Sequence, residues 1–416
     1  MAGLQARVCW SHASVPSVVR RRIFSQPAAV VRCHLSAGPS RPANCTAPRC
    51  RPASLREVQS RTRWGAPGVA RGRQVACTAA GKKRVVFLGT PDVAAATLGQ
   101  LLDAAEAPES AFEVSAVVTQ PQRARGRGKK VVPSPVAKYA AQRGIAQDAI
   151  WEPASAKDDA FLAQLQELGP DLCITVAYGN FLPSKFLAIP RHGTLNVHPS
   201  LLPAFRGAAP VPRAVEAGLA ETGVTVAFTV LEMDAGPVLR QITAPIGANE
   251  TAPELLDRLM AAGMQALIEE LPRVWSGEAE EVAVPQDGSK ATHAAKISRE
   301  ESFLDFSLPA AELHNRVRAF AGWPGTTGRF VQRVDGGGDE EVNIKVVRTE
   351  PSEGGAAVGE GGLLPVAQEK DALVVPCGAG TALRCLEVQA PGKKAMAAQA
   401  YINGLKARKA SLFVQH

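Results

Sequence analysis

The stretch Arg84-Val85-Val86-Phe87-Leu88-Gly89-Thr90 marks the beginning of an ordered fold. A continuous apolar run that ends in Gly is typical of a strand buried on both faces of a parallel sheet. Pro91-Asp92 then opens a helical stretch that continues to Leu102. Further apolar runs follow, most of them separated by helical segments, at 112–119, 171–178, 193–197 and 224–231. This alternation predicts an α/β fold with a doubly wound, Rossmann-like sheet in residues 81–275.

The sequence changes character after about residue 275, and a second domain is expected there. Residues 276–297 are mostly polar and predict a linker. One helical stretch (310–320) follows, and then short apolar runs at 330–334, 342–347, 372–375 and 383–388, separated by Gly-rich turns. This pattern predicts a small OB-like β-barrel in residues 298–416. In the first domain, Thr251-Ala252-Pro253-Glu254 is a capping box that predicts the start of a long helix.

The charge of the chain is unevenly distributed. The 416 residues have a formal net charge of +8, but residues 1–80 hold 13 Arg, no Lys and a single acid, Glu57. The remaining 34 of the 47 bases and 38 of the 39 acids lie in residues 81–416, which are therefore slightly acidic. A nucleic-acid-binding surface must then be local, because the bulk charge of the body does not favour one.

Residues 1–80 have the composition of an organellar transit peptide: rich in Arg, Ser, Ala and Pro, and nearly free of acids. The run Val75-Ala76-Cys77-Thr78-Ala79-Ala80 resembles plastid processing sites, so the plastid stroma is favoured and the mitochondrial matrix is the alternative. A retained basic arm that binds RNA is a third interpretation. No run approaches the roughly 18 apolar residues of a membrane span, so we expect no membrane association.

The cysteines indicate neither disulfides nor a metal site. Five of the eight lie in residues 1–80, and the body holds Cys173, Cys377 and Cys385. These three are scattered and lack CxxC spacing, so we expect reduced thiols packed in the core and no metal.

The most informative stretch for function is Asn196-Val197-His198-Pro199, at the end of a predicted strand. Residues two apart on a strand point to the same face, so Asn196 and His198 project together. In a doubly wound sheet, ligands bind outside the carboxyl ends of the strands. A carboxamide can donate to an oxygen that becomes an oxyanion, and an imidazole can move a proton. The pair therefore suits carbonyl chemistry, although an Asn-x-His pair alone has a structural interpretation as well.

Asp234 strengthens that interpretation. It lies in Glu232-Met233-Asp234-Ala235-Gly236-Pro237, just after the apolar run 224–231. A turn at this position can reach the same edge of the sheet, where an Asp can pair with His198 and fix its tautomer. The alternative is an Asp that merely favours a turn next to Gly.

These motifs together resemble the folate-dependent formyltransferases. The resemblance rests on Asn196 through Pro203 (Asn-Val-His-Pro-Ser-Leu-Leu-Pro), on the downstream Asp-Ala-Gly, and on Phe87-Leu88-Gly89-Thr90-Pro91-Asp92. The stretch 119–136, with its Arg/Gly/Lys segment, is similar to the insertion of the methionyl-tRNA formyltransferases. Arg206-Gly207-Ala208-Ala209-Pro210, Arg318-Ala319-Phe320 and Pro391-Gly392-Lys393-Lys394 also fit. The similarity covers residues 84 to about 410 in consistent order.

The resemblance implies 10-formyltetrahydrofolate as the formyl donor and the α-amino group of initiator methionyl-tRNA as the acceptor. It implies that Asn196 polarises the formyl oxygen, that His198 assists attack, and that Asp234 positions His198. It further implies two groups of binding residues. Folate contacts are expected from Ser200, Leu201, Leu202, Pro203, Ala177 and Tyr178, and tRNA contacts from Arg123, Arg127, Lys129, Lys130, Arg206, Lys393 and Lys394.

The basic segment 123–130 has a local interpretation too. Its five bases are interleaved with Gly126 and Gly128, which disfavours a helix and predicts a flexible basic loop. Lys and Arg in such a loop can contact phosphates, although a charge run is commonly a solvated face. The tail from Gly392 onward has five bases and no acid, with the same two interpretations. We expect a monomer by default.

Several other functions are alternatives to this one. A dinucleotide-dependent oxidoreductase is disfavoured, because Gly89-Thr90-Pro91-Asp92 is not a GxGxxG motif and no acid follows the second strand. A formyltransferase acting on glycinamide ribonucleotide would not need the second domain or the basic insertion. A hydrolase-dehydrogenase relative would need a longer chain, and a non-enzymatic RNA-binding protein would tolerate loss of Asn196 or His198. Ala204, Pro237 and Val93 depart from residues common in bacterial members, and Ala204 leaves one tRNA or folate contact open.

Overall fold

A computed structural model describes residues 81–125, 130–354 and 363–415. The predicted leader, residues 1–80, lies outside the described residues, and so do Arg127 and Lys129 of the basic segment. No helix in the described ranges has the length and apolar character needed to cross a membrane.

The first part of the chain alternates strands and helices. In chain order these are β1 (Lys83–Gly89), α1 (Asp92–Glu106), β2 (Phe112–Val118), β3 (Arg123–Arg125), β4 (Lys130–Val132), α2 (Pro135–Gln142), β5 (Ile150–Trp151), α3 (Asp159–Leu168), β6 (Leu172–Val176), α4 (Ser184–Leu187), β7 (Thr194–His198), β8 (Arg206–Gly207), α5 (Pro210–Glu216), β9 (Glu221–Phe228), β10 (Val238–Pro245), α6 (Ala252–Ser276), α7 (Glu278–Val282) and β11 (His293–Ala294).

The main sheet has the strand order β10-β9-β7-β6-β1-β2-β5. Strands β5, β2, β1, β6 and β7 are parallel, whereas at one side β9 pairs antiparallel with β7 and β10 pairs antiparallel with β9. The predicted α/β class and Rossmann-like sheet are therefore confirmed. β1 is buried along Val85–Gly89, as expected for a central strand with helices on both faces.

The two faces of the sheet carry separate apolar cores. One face packs on α1, α2, α5 and α6, and the other packs on α3 and α4. Helix α6 begins with the predicted capping box, in which Glu254 Oε2 accepts from the Thr251 backbone amide at 2.9 Å. Its Gly263 lies so close to the sheet that a Cβ there would collide with the side chains of Val224 and Val197. Helix α6 thus rests directly on the strand that carries Asn196 and His198.

Three segments differ from the predicted pattern. β10 was not predicted; its sequence mixes polar and apolar residues because it is the half-exposed edge strand. The ends of the predicted basic loop pair as strands, with Arg123 opposite Val132 and Arg125 opposite Lys130. The predicted linker contains α7 and β11, and it returns to the sheet through antiparallel bridging of Val284 with Val238.

The second part of the chain is a β-barrel with two helices. Its elements are α8 (Ala310–Ala319), β12 (Thr326–Val334), β13 (Asp339–Glu353), β14 (Leu363–Pro365), β15 (Ala367–Gln368), β16 (Leu373–Pro376), β17 (Thr381–Gln389), β18 (Met396–Ala397), α9 (Ala398–Ala407) and β19 (Ala410–Gln415). The antiparallel strands follow the order β14-β19-β12-β13-β17-β16-β15, and β14 lies beside β16, which nearly closes the barrel. This confirms the predicted C-terminal barrel. Cys377 and Cys385 lie in its core and Cys173 in the core of the first sheet, all as free thiols.

Helix α8 joins the barrel to the first domain. His314 bonds through Nδ1 to the Thr349 hydroxyl at 3.0 Å and through Nε2 to the Ala248 carbonyl at 3.1 Å. Nη1 of Arg318 donates to the carbonyls of Gly247 and Glu250 at 3.2 Å each. Burial lowers the pKa of His314, so the contact favours a neutral imidazole.

Candidate active site

The candidate catalytic residues lie at the carboxyl edge of the main sheet. β6 and β7 are parallel neighbours, and Thr175 of β6 is in register with Asn196 of β7. His198 is the last residue of β7 and is 5% exposed. The two-residue spacing thus places Asn196 and His198 at the end of one strand, where a doubly wound sheet binds its ligands.

The carboxamide of Asn196 is held by a hydroxyl on the neighbouring strand. Thr175 Oγ1 donates to Asn196 Oδ1 at 3.0 Å and lies 3.3 Å from the Leu195 carbonyl oxygen. With its oxygen occupied in this way, the amide presents its NH2 group for donation. Thr175 was not singled out from the sequence; the available signal was a polar residue within an otherwise apolar buried strand.

His198 lies between two oxygen acceptors. Nε2 is 3.0 Å from the backbone carbonyl of Phe205, and Nδ1 is 3.7 Å from Oδ1 of Asp234. Because a carbonyl oxygen only accepts, Nε2 carries the hydrogen in its contact. Nδ1 is then the ring nitrogen that faces Asp234, and 3.7 Å is within ion-pair range but beyond direct hydrogen bonding.

Asp234 occupies a constrained backbone position. Its φ is +52°, in the left-handed region that non-Gly residues seldom adopt. Oδ2 accepts from the backbone amide of Gly207 at 2.9 Å, and only 15% of the side chain is exposed. The turn between β9 and β10 therefore brings Asp234 to His198, as the sequence predicted.

The predicted folate loop, Ser200 to Pro203, begins two residues after His198 and is held by several hydrogen bonds. The hydroxyl of Thr225 donates to the Ser200 carbonyl at 2.6 Å and accepts from the Leu202 amide at 3.1 Å. Gln241 Nε2 donates to the Leu202 carbonyl at 2.8 Å. Ser200 and Leu202 are buried, whereas Leu201 and Pro203 are half-buried. The loop is thus fixed from β9 and β10 next to the catalytic residues.

The other predicted folate residues lie at the end of β6. Ala177 is exposed and has a φ of +47°, and the carbonyl of Tyr178 accepts from the Thr90 hydroxyl at 2.9 Å. The hydroxyl of Tyr178 and Nδ2 of Asn180 are buried without a hydrogen-bond partner of good geometry among the described residues. Ala177 and Tyr178 therefore lie at the catalytic edge of the sheet.

The predicted tRNA residues are spread over several elements. Arg123 and Lys130 belong to the β3–β4 hairpin. Lys393 and Lys394 are exposed in the turn after β17, where the Lys393 carbonyl accepts from Gln389 at 2.7 Å. Arg206 is different, since it is only 12% exposed and its guanidinium bonds to Gln286 and Glu232 within the chain. The structure places Arg206 next to the catalytic trio, between Phe205, whose carbonyl contacts His198, and Gly207, whose amide donates to Asp234.

A cavity of about 280 Å³ opens beside the turn that carries Asp234. Its lining residues are Arg206, Glu232, Met233, Ala291, Thr292 and His293. A larger cavity of about 500 Å³ lies against α3 and α4 and is lined by none of the candidate residues. Within the described ranges, no group of three His, Cys, Asp or Glu side chains is arranged to hold a metal ion.

Family models match both parts of the chain. The model described as formyl transferase matches residues 83–271, and the model described as the formyl transferase C-terminal domain matches residues 296–406. A solved N-formyltransferase from Helicobacter canadensis, in complex with folinic acid and dTDP-3-aminofucose, has a TM-score of 0.50 at 16% identity and covers 73% of this chain and 98% of its own. At that identity the likeness shows the fold.

Sequence relatives are more specific. A methionyl-tRNA formyltransferase of Marinobacter nauticus is 39% identical over 323 residues, which is 78% of this chain and 96% of that protein. The methionyl-tRNA formyltransferase of Aromatoleum aromaticum is 41% identical over 321 residues, covering 77% and 94%. That of Geobacillus thermodenitrificans is 37% identical over 324 residues, covering 78% and 95%. Since nearly the whole length of these relatives is matched, this chain belongs to the methionyl-tRNA formyltransferase family.

Proposed function

We propose that this protein transfers the formyl group of 10-formyltetrahydrofolate to the α-amino group of initiator methionyl-tRNA. The observation that carries the proposal is the convergence of Asn196, His198 and Asp234 beside the Ser200–Pro203 loop, in a chain matched along both domains by relatives of that name. The amine nitrogen attacks the formyl carbon and a tetrahedral intermediate forms. The bond from that carbon to N10 of the folate then breaks, N10 gains a proton, and the amine loses one.

Asn196 stabilises the oxygen of the intermediate. Its NH2 group is presented by the contact of Oδ1 with Thr175, so no reorientation is needed as negative charge develops. Loss of one such donor typically raises the barrier by about 2.7–4 kcal/mol.

His198 and Asp234 handle the proton. Nδ1 of His198 and Oδ1 of Asp234 are 3.7 Å apart, so the attacking amine or one water can bond to both. Nε2 stays on the Phe205 carbonyl at 3.0 Å and keeps the ring plane fixed during transfer. The proton that leaves the amine thus has an acceptor next to it, and the same pair can return a proton to N10.

The folate donor fits the edge formed by the ends of β6 and β7. The pterin side lies against Ala177 and Tyr178 at the end of β6, where backbone groups can bond to a heteroaromatic ring. The fixed loop of Ser200, Leu201, Leu202 and Pro203 holds the donor beside Asn196. The donor is a substrate of the reaction, and no metal takes part in the proposed chemistry.

The tRNA approaches through basic residues outside the catalytic trio. Arg123, Arg127, Lys129 and Lys130 of the basic segment 123–130 contact the phosphates of the acceptor end, and Lys393 and Lys394 extend the contact on the barrel. Neutralising Arg123, Arg127 and Lys129 together is expected to raise the KM for tRNA and to reduce the slope of log KM against log salt by up to about one per contact. The KM for folate should stay the same. An unchanged slope of log KM against log salt would show that the segment does not contact the tRNA.

The decisive experiment uses purified residues 81–416 with 10-formyltetrahydrofolate and charged initiator tRNA, charged elongator tRNA or glycinamide ribonucleotide. Formylation of the initiator methionyl-tRNA is expected, and His198→Ala should lower kcat by about 10²–10⁴ without changing the melting temperature. Preferential formylation of glycinamide ribonucleotide would replace the proposed acceptor. Near-normal turnover by His198→Ala would refute the role of the trio.

The proposal extends to the subcellular location and the oligomeric state of the enzyme. Residues 1–80 direct the protein to an organelle, the plastid stroma in preference to the mitochondrial matrix, and the mature enzyme is a monomer. The Arg-rich, acid-poor composition of residues 1–80 supports the first statement. A fluorescent fusion to residues 1–80 should accumulate in plastids, and fluorescence confined to the cytosol would contradict it. Light scattering of residues 81–416 should give the mass of one chain.

A further inference from the structure

Gln286 lies in the segment after α7 and contacts the turn that carries Asp234. Its Nε2 donates to the carbonyl of Asp234 at 2.8 Å and to the carbonyl of Gly236 at 2.8 Å. Its Oε1 accepts from Arg206 Nε at 3.1 Å and from Arg206 Nη2 at 2.8 Å. One half-buried side chain therefore links the turn that carries Asp234 to the side chain of Arg206.

This amide is fully satisfied, and its orientation is unambiguous. Both N–H donors face backbone carbonyls, and both lone pairs of the oxygen face a guanidinium. A flipped amide would set its oxygen against two carbonyls and its NH2 against a cation. Glu at this position could still accept from Arg206, but it could not donate to the Asp234 turn.

The partners of Gln286 also hold the other catalytic groups. Phe205, Arg206 and Gly207 are consecutive: the Phe205 carbonyl bonds His198, the Arg206 side chain bonds Gln286, and the Gly207 amide bonds Asp234. Asp234 itself has a left-handed backbone conformation that the surrounding contacts must maintain. Gln286 therefore closes a ring of contacts in which His198 and Asp234 are both fixed.

We infer that Gln286 is a positioning residue for formyl transfer, which acts through the placement of Asp234 against His198. The inference rests on the proposed function for its kinetic test. The 3.7 Å between His198 Nδ1 and Asp234 Oδ1 leaves little tolerance, since displacement by about 1 Å can lower a rate on the order of 100-fold.

The experiment compares Gln286→Met and Gln286→Glu with the wild type and with Gln265→Met, in residues 81–416. Gln265 lies exposed on α6, and within the described part of the chain its side chain bonds to Glu269 alone, at 3.1 Å, so it is a matched substitution away from the site. Both Gln286 variants should lower kcat by on the order of 10- to 100-fold with KM values changed less than about twofold. Gln265→Met should behave as the wild type.

Gln286→Glu separates positioning from simple structural support. It retains a charge-assisted contact with Arg206, so its melting temperature should be at least that of Gln286→Met while kcat falls as far. Near-normal kcat in Gln286→Glu would show that only the bond to Arg206 matters, and would overturn the inference. In an Asp234→Ala background, Gln286→Met should lower kcat by no more than about twofold, and full additivity would also overturn it.

A readout independent of turnover distinguishes this inference from the proposed function. Gln286→Met should accelerate hydrogen exchange of the Gly207 amide, because that amide donates to Asp234 Oδ2 at 2.9 Å. An inactive wild type would refute the proposed function and leave this exchange test in force. An active wild type with unchanged exchange at Gly207 would refute the inference alone.

Discussion

Replacing Thr175 by Val tests how the oxyanion donor is oriented. Val has the shape and β-branching of Thr, so the strand and its packing are preserved while the hydroxyl is lost. The hydroxyl is 3.0 Å from Asn196 Oδ1. Without it, the carboxamide is free to turn its oxygen, instead of its NH2, toward the developing negative charge.

The size of the effect follows from that contact. A neutral hydrogen bond contributes a net of about 0.5–1.5 kcal/mol, which corresponds to a decrease in kcat of about 2- to 13-fold. The upper limit is complete loss of the Asn196 donor, about 2.7–4 kcal/mol or 10²–10³-fold. Because the donor acts only in the transition state, kcat and kcat/KM should fall together.

The assay is steady-state formylation of methionyl-tRNA in a double-mutant cycle. Thr175→Val should have almost no effect in an Asn196→Ala background, since its influence passes through that amide. Thr194→Val is the matched control, because the Thr194 hydroxyl is buried on β7 without a hydrogen-bond partner among the described residues. The same loss of kcat with and without Asn196 would refute the argument, as would an equal loss in Thr194→Val.

Further predictions concern Asp234, the close approach of α6 and the contact between the domains. Asn, like Asp, tolerates a left-handed φ, and its side-chain oxygen can still accept from the Gly207 amide, so Asp234→Asn should leave the melting temperature unchanged. Loss of the carboxylate should lower kcat by about 10²–10⁴, and activity close to that of the wild type would contradict this. Gly263→Ala should lower the free energy of unfolding by about 1–3 kcal/mol, measured with urea, because its Cβ collides with Val224. The folded-state pKa of His314 lies below its ordinary 6.5, so its contribution is present above that pH and is lost as the pH falls below it. The unfolding free energy of the wild type should thus decline below pH 6.5 by up to about 1.4 kcal/mol per pH unit, and that of His314→Gln should decline less steeply. A difference in unfolding free energy between the two proteins that does not change with pH would contradict this.

The buried strands could be predicted from sequence because each is a continuous apolar run. β1, β2, β6, β7 and β9 all lie within or close to the predicted runs. β10 escaped prediction because an edge strand needs only one apolar face, and its mixed sequence resembles a loop. The polar composition of 276–297 likewise concealed α7, which contacts the end of α6 through Arg273 and Glu278 and buries Ala279 in the core.

Of the site residues too, some could be predicted from the sequence and others could not. Asn196 and His198 follow from a spacing of two on one strand, and Asp234 follows from a turn at a known edge. Gln286 could not be found, because its contact with Asp234 joins residues 52 apart, through a chain reversal that no local pattern encodes. The tRNA contact of Arg206 was implied by the family resemblance and stays a prediction, and the bonds of its guanidinium to Gln286 and Glu232 were not predicted from the sequence.

The return of residues 284–294 to the catalytic sheet determines where this protein can be cut and rejoined. β11 pairs with β8, and the hydroxyl of Thr292 accepts from the Phe205 amide at 2.8 Å. A fragment ending at residue 275, where the composition changes, therefore lacks the partners of the loop that holds His198. A junction placed after Ala294 keeps them. Hybrids that exchange the barrel for that of a relative should accordingly be joined after Ala294, so that the segment up to Ala294 comes from the same protein as the catalytic domain.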